Sequence, residues 1–232
     1  EENMKYMFCF FPFIGTVIGV VFIGVDYLGE LLSLSPGLHT ALLVVVPVLI
    51  TGGIHVDGLL DTADALSSWQ ERERRLEILK DSHAGAFAVI AGCVYFLCCF
   101  GACSQIAGDK KAVLLTAAGF MVSRCFSGIG VMALPKAKKS GTVAEFSRKA
   151  ENILVRNTLI VYLILLAVLM IFIQPVAGAA AFLSSFVIFL YYRHVAMKYF
   201  GGTTGDLSGF FLCLCEAGTA LVIAVISAAM HV

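Results

Sequence analysis

The chain has 232 residues, 59% of them apolar and only 14% charged, against roughly 45–50% and 25% in ordinary soluble domains. This balance excludes a disordered chain and a secreted disulfide scaffold, and it leaves more apolar surface than one water-soluble core can cover, so lipid must take the rest. Sixteen basic residues cancel sixteen acidic ones, which gives no electrostatic footprint for nucleic acid, so only the placement of each sign along the chain is informative.

The opening Glu1-Glu2-Asn3-Met4 lacks the charged, apolar and small-residue order of a cleavable signal peptide. Apolar stretches able to cross about 30 Å of hydrocarbon at about 1.5 Å per residue then follow at 11–32, 38–60, 84–106, 112–134, 155–174, 176–199 and 207–230. Short breaks separate them: Ser35-Pro36-Gly37, a charged stretch from Gln70 to Asp81, Gly108-Asp109-Lys110-Lys111, a basic loop from Pro135 to Arg156, Gln174-Pro175, and Gly201-Gly202-Thr203-Thr204-Gly205. The expected fold is therefore an all-α polytopic membrane protein with six to seven transmembrane helices, forming a single catalytic domain over 1–232. The eight cysteines fall almost wholly inside apolar segments and show no paired zinc spacing, so they read as packing residues.

Basic residues set the orientation, because short loops rich in them stay in the cytoplasm. Arg72, Arg74, Arg75 and Lys80 fall in one break, and Lys136, Lys138, Lys139, Arg148, Lys149 and Arg156 in another on the same side. The opposite side receives Lys110 and Lys111. The N-terminus and the glycine-rich turn at 201–205 are thus expected in the cytoplasm, with the C-terminus outside.

The densest polar segment is Gly52-Gly53-Ile54-His55-Val56-Asp57-Gly58-Leu59-Leu60-Asp61-Thr62-Ala63-Asp64-Ala65-Leu66, at the end of the second expected span. On a helix, Asp57, Asp61 and Asp64 share a stripe about 60° wide. Three carboxylates so close repel one another unless a cation holds them, and oxygen-only ligands suit Mg²⁺ or Mn²⁺; the alternative is an acidic helix end paired with Arg72, Arg74 or Arg75. His55 lies about 200° from Asp57 and reaches the stripe only if the backbone unwinds near Gly52-Gly53 or Gly58. Such a histidine is either a hydrogen-bonded structural residue or a base for a hydroxyl nucleophile.

Asp81-Ser82-His83-Ala84-Gly85-Ala86-Phe87 opens the third span, with Asp81 and Ser82 as candidate N-caps or as part of an anion site. Arg124 sits within the fourth span, where an unpaired guanidinium costs at least about 2.5–3.5 kcal/mol; its partner is a substrate phosphate or a buried carboxylate such as Glu216. Asp26 and Glu30 look interfacial. Gly202, Thr204, Gly205 and Asp206 combine glycines, a hydroxyl and a carboxylate at the start of the last span, suited to a phosphate or a metal. Together these features describe metal-assisted phosphoryl chemistry at one membrane face.

The segment from Gly52 to Ala65, followed by Asp81-Ser82-His83-Ala84-Gly85-Ala86-Phe87, Ser123-Arg124 and Gly201-Gly202-Thr203-Thr204-Gly205-Asp206, resembles the cobalamin-5′-phosphate synthases, or adenosylcobinamide-GDP ribazoletransferases. The resemblance runs through nearly the whole chain in the expected order. It implies a Mg²⁺-dependent membrane enzyme that joins adenosylcobinamide-GDP to α-ribazole or α-ribazole 5′-phosphate and releases GMP late in vitamin B12 assembly. By matched position it makes His55, Asp57, Asp61 and Asp64 catalytic and Asp57, Asp61, Asp64 and Asp81 metal residues. Asp81, Ser82, His83, Arg124, Gly202, Thr204, Gly205 and Asp206 would meet substrate. The chain departs from the family pattern at His83, where Arg is frequent, at Ala65, where Gly is common, and at Cys213, where an acid often stands; the family also usually carries a further N-terminal segment. A lipid CDP-alcohol phosphotransferase also uses helix-borne aspartates, but Asp57-Gly58-Leu59-Leu60-Asp61 does not continue in that pattern. A cation-coupled transporter would want its acids at mid-bilayer.

Overall fold

The computed structural model describes residues 6–81, 83–137 and 152–230, and the described residues are almost entirely helical. Helices α1 (Met7–Leu31), α5 (Ala86–Ile106), α6 (Lys110–Ala133), α7 (Asn152–Ile173), α8 (Pro175–Val195) and α9 (Gly205–Met230) are each long and apolar enough to cross a membrane. Their limits match six of the expected spans to within a few residues, because the Gly, Pro and charged breaks stop helices where the apolar runs end. The protein is an integral membrane protein.

The remaining expected span, 38–60, is not straight. Helix α2 (Pro36–Thr51) ends at Gly52 and Gly53, both in the left-handed region at φ 63° and 78°, and α3 (Ile54–Ser67) leaves at 91° to α2. Two consecutive left-handed residues are a conformation that side chains with a Cβ resist and glycine accepts. The charged break also holds a short helix that was not foreseen, α4 (Arg72–Ile78), and α8 runs on into a single π-helical turn, Ala196–Phe200.

Helices α6 and α9 form the centre, with 78% and 61% of their spanning windows buried against 22–39% in the other four spans. Between these two lies the Arg124–Glu216 ion pair. Arg124 is fully buried, and its Nη1 donates to Glu216 Oε1, to the Phe120 carbonyl at 2.9 Å and to Ser123 Oγ at 3.0 Å. Of the two partners expected for Arg124, the buried carboxylate is the one present. Asp26, expected at an interface, is buried instead: its Oδ1 lies 3.1 Å from His39 Nε2 and accepts the Gly108 N–H at 3.0 Å, tying the ends of α1, α2 and α5 together.

Helix α3 is held against α9 by a close crossing of glycines. A Cβ on Gly58 would meet the Asp206 carbonyl oxygen at 2.6 Å, and one on Gly209 would meet the His55 carbonyl oxygen at 3.0 Å. Gly58→Ala is therefore expected to lower stability by about 1–3 kcal/mol through overpacking, while Gly24→Ala, with nothing within 4 Å, leaves it unchanged or slightly raised. Denaturant unfolding of the detergent-solubilised variants measures the difference.

Candidate active site

The bend at Gly52-Gly53 releases a regular helix carrying Asp57, Asp61 and Asp64 along one edge, while Gly58, Leu59, Thr62 and Ala65 are buried. The 3.6-residue period separates these two sets, so the carboxylate stripe borders the packed face instead of entering it. Asp57 is exposed; Asp61 and Asp64 are half-buried. On the other side of α3, Leu59 and Ala63 join Phe87, Ile90, Tyr191 and Phe210 around an apolar cavity of about 800 Å³. The carboxylate stripe and this apolar cavity thus lie on different sides of α3.

Asp64 has a partner that the sequence did not announce. Its Oδ2 accepts the Gly85 N–H at 2.5 Å and its Oδ1 accepts the Ala88 N–H at 2.8 Å, so it caps the start of α5 from 21 residues away. Asp81 does not cap α5. Its Oδ1 accepts the His83 backbone N–H at 3.0 Å and lies 2.7 Å from His83 Nδ1, with both side chains more than half exposed. These hydrogen bonds, the side-chain one foremost, hold the Asp81 carboxyl below its ordinary value. The contact is therefore kept above the usual carboxyl range and lost as pH falls through the lowered value. Ser82 lies outside the described residues, as do Lys138, Lys139, Arg148 and Lys149 of the expected basic loop.

The glycine break precedes His55, so this residue belongs to the regular helix, and its backbone lies against Gly209 on the α9 side. The unwinding that would swing it onto the stripe does not occur at Gly52-Gly53, and Gly58 stays helical; at two positions from Asp57, His55 and the stripe face apart.

Asp206 is half-buried in the first turn of α9, its backbone against Gly58, and Thr204 Oγ1 lies 3.3 Å from its Oδ2. The crossing of α3 and α9 thus sets the Asp206 backbone against Gly58, next in sequence to Asp57. Much of the preceding turn is hydrogen-bonded within the protein. Gly202 N–H donates to the Ala196 carbonyl at 2.9 Å, and Thr203 pairs with the 135–137 segment as a single parallel bridge. The Thr203 hydroxyl lies 2.5 Å from that of Tyr192, and Thr204 Oγ1 accepts the Leu207 N–H at 3.2 Å as the α9 cap. Gly205 is exposed.

Among the described residues, no group of three or more His, Cys, Asp or Glu side chains is close enough to hold a metal ion. One cage of Asp57, Asp61, Asp64 and Asp81 is therefore not assembled, and the reasons are geometric: the stripe climbs about 10 Å from Asp57 to Asp64, Asp64 is committed to α5, and Asp81 faces out with His83. A donor set of one or two carboxylates does suit Mg²⁺, which keeps waters and takes its other oxygens from substrate phosphates. Asp57 and Asp61, neighbours one helical turn apart on the stripe, meet that requirement.

The fold and the site define an α-helical membrane protein with carboxylates and a capped glycine turn gathered at one end of its bundle. Comparison with known proteins names the group. A family described as cobalamin-5-phosphate synthase matches residues 1–224, and the chain belongs to it. A relative named adenosylcobinamide-GDP ribazoletransferase from Lachnoclostridium phytofermentans is 46% identical over 226 residues, covering 97% of this chain and 86% of the relative. Proteins of the same name from Clostridium botulinum (strain Alaska E43 / Type E3) and Pseudomonas syringae pv. syringae are 33% and 30% identical, covering 93% and 97% of this chain and 85% and 90% of their own lengths. No solved structure matches.

Two stability outcomes follow from this geometry. Asp64→Ala leaves the α5 start uncapped and is expected to cost about 0.5–2 kcal/mol. Glu216→Ala strands the Arg124 charge at about 3–5 kcal/mol, most of it recovered in Arg124→Met/Glu216→Leu. Unfolding midpoints in detergent check both.

Proposed function

We propose that this chain is an adenosylcobinamide-GDP ribazoletransferase, transferring the phosphocobinamide group to α-ribazole or α-ribazole 5′-phosphate with release of GMP, in the last steps of vitamin B12 assembly. Relatives of that name align along almost the entire chain. The observation that carries the site is the pairing of the exposed Asp57 and half-buried Asp61 on a bent-off helix with Asp206 at the start of α9. The acceptor hydroxyl attacks the phosphorus attached to cobinamide, losing its proton, as the bond to the GMP phosphate breaks.

Mg²⁺ held by Asp57 and Asp61 would neutralise charge developing on the leaving phosphate. The chain's own part is positional. The α3–α9 glycine crossing fixes Asp206 relative to the stripe, the Asp64 cap fixes the stripe relative to α5, and the apolar rear face of α3 keeps the charged donor on one side. Preorganisation of this kind acts without further rearrangement as charge develops. The reading puts this end of the bundle in the cytoplasm, because Arg72, Arg74, Arg75, Lys80 and Lys136 all lie at the same end as α3.

Membranes carrying the protein, incubated with adenosylcobinamide-GDP, α-ribazole and Mg²⁺, are expected to yield cobalamin and GMP. Asp57→Asn and Asp61→Asn each lower kcat by about 10²–10³-fold with unchanged membrane insertion, and chelation of divalent ions abolishes turnover reversibly. Wild-type rates in both variants contradict the site; formation of phospholipid from a CDP-alcohol in place of cobalamin contradicts the reaction.

A further inference from the structure

Helix α4 carries three arginines with unequal surroundings. Arg74 pairs with Glu77 at 2.7 Å, and both side chains are more than 60% exposed, an ordinary surface contact. Arg75 is only 9% exposed, its guanidinium carbon stands 4.7 Å from the centroid of the Tyr199 ring, and its Nε is buried with no hydrogen-bond partner. Stacking on tyrosine offsets only part of the cost of taking a guanidinium out of water. Among the described residues no carboxylate pairs with Arg75. The site is one charge short.

Arg72 stands one helical turn before Arg75, and its guanidinium rests against Gly201, where any Cβ would overlap it and where φ is +69°. No carboxylate pairs with Arg72 among the described residues either. Lys198 Nζ lies 5.1 Å from the same Tyr199 ring. The π-turn Ala196–Phe200 is what turns Lys198 and Tyr199 toward α4, and such single wide turns recur at functional sites. Three cations thus gather around Tyr199 and Gly201, at the entry to the turn that leads to Asp206.

We propose that Arg72 and Arg75 form a phosphate-monoester site that takes the 5′-phosphate of the ribazole acceptor. The inference rests on the transferase reading above and adds to it the residues that hold the acceptor's phosphate. Two phosphorylated substrates meeting at one site need different handling. A donor diphosphate would be held at carboxylates through a divalent ion, whereas a metal-free monoester is repelled by carboxylates and needs guanidinium forks, which grip phosphate oxygens two at a time.

The test uses the full chain in phosphatidylcholine nanodiscs, with α-ribazole and α-ribazole 5′-phosphate as alternative acceptors. In Arg72→Gln and Arg75→Gln the ratio of kcat/KM for the phosphorylated acceptor to that for α-ribazole is expected to fall at least about tenfold, through KM, with Arg75→Lys intermediate. Inorganic phosphate competes with the phosphorylated acceptor in the wild type and loses potency in the variants. Equal losses for both acceptors, or no change for either, overturn the proposal, as does a difference that appears only when phosphatidylglycerol is added, which would assign the pair to lipid headgroups. Arg72 is exposed, so its variant keeps the comparison valid if Arg75→Gln does not fold. If the wild type made no cobalamin at all, the transferase reading would fail by itself; stabilisation of the wild type by inorganic phosphate, and its loss in Arg72→Gln, would still decide whether the arginines bind phosphate.

Discussion

Everything at the polar end of this molecule depends on one backbone constraint, the pair of left-handed glycines that turns α3 through 91° from α2. Had the second span run straight to residue 60, Asp57 would sit within it, and a carboxylate at bilayer depth is costly. The turn keeps the carboxylates on a helix that no longer follows the span, and the Gly58–Gly209 crossing then fastens that helix to α9. Asp64 completes the arrangement by meeting the first amides of α5. The start of α5 would otherwise be an anion site; with an internal carboxylate in place, phosphate must be recognised elsewhere.

Charge is handled in two ways in this fold. Within the bundle, the Arg124–Glu216 ion pair and the Asp26–His39 contact are enclosed by neighbouring helices, and Arg124 and Asp26 also hydrogen-bond to backbone groups. At the polar end, Asp57 is exposed and Arg72 and Arg75 lack a carboxylate partner among the described residues. The first group holds helices in register. The second is the group from which the proposed substrate sites are drawn.

Much of this was legible in the sequence because the relevant signals are local. Apolar runs closed by Gly, Pro and charge fixed the limits of six spans, and the 3.6 period placed Asp57, Asp61 and Asp64 on one edge. The cost of a guanidinium in a span pointed correctly to Glu216 as one of two partners for Arg124. What escaped were contacts across the chain. Asp64 as the α5 cap joins residues 21 apart, and the burial of Asp26 needs both His39 and Gly108. The direction of His55 depended on whether the break fell before or after it. Arg75 read as one basic residue in a charged loop, since neither α4 nor the π-turn that presents Tyr199 has a periodic signature at that length.

The Arg124–Glu216 pair also bears on how the protein is made. Its two members are 92 residues apart, so Arg124 leaves the ribosome with its helix long before the carboxylate that neutralises it exists. Until the last helix arrives, the nascent bundle must keep that cation near water or in the insertion machinery, and α6 cannot settle into its central position. Assembly is then closed from the C-terminal end: α9 delivers the missing charge to α6 and, by the same insertion, brings Gly209 and Asp206 onto α3.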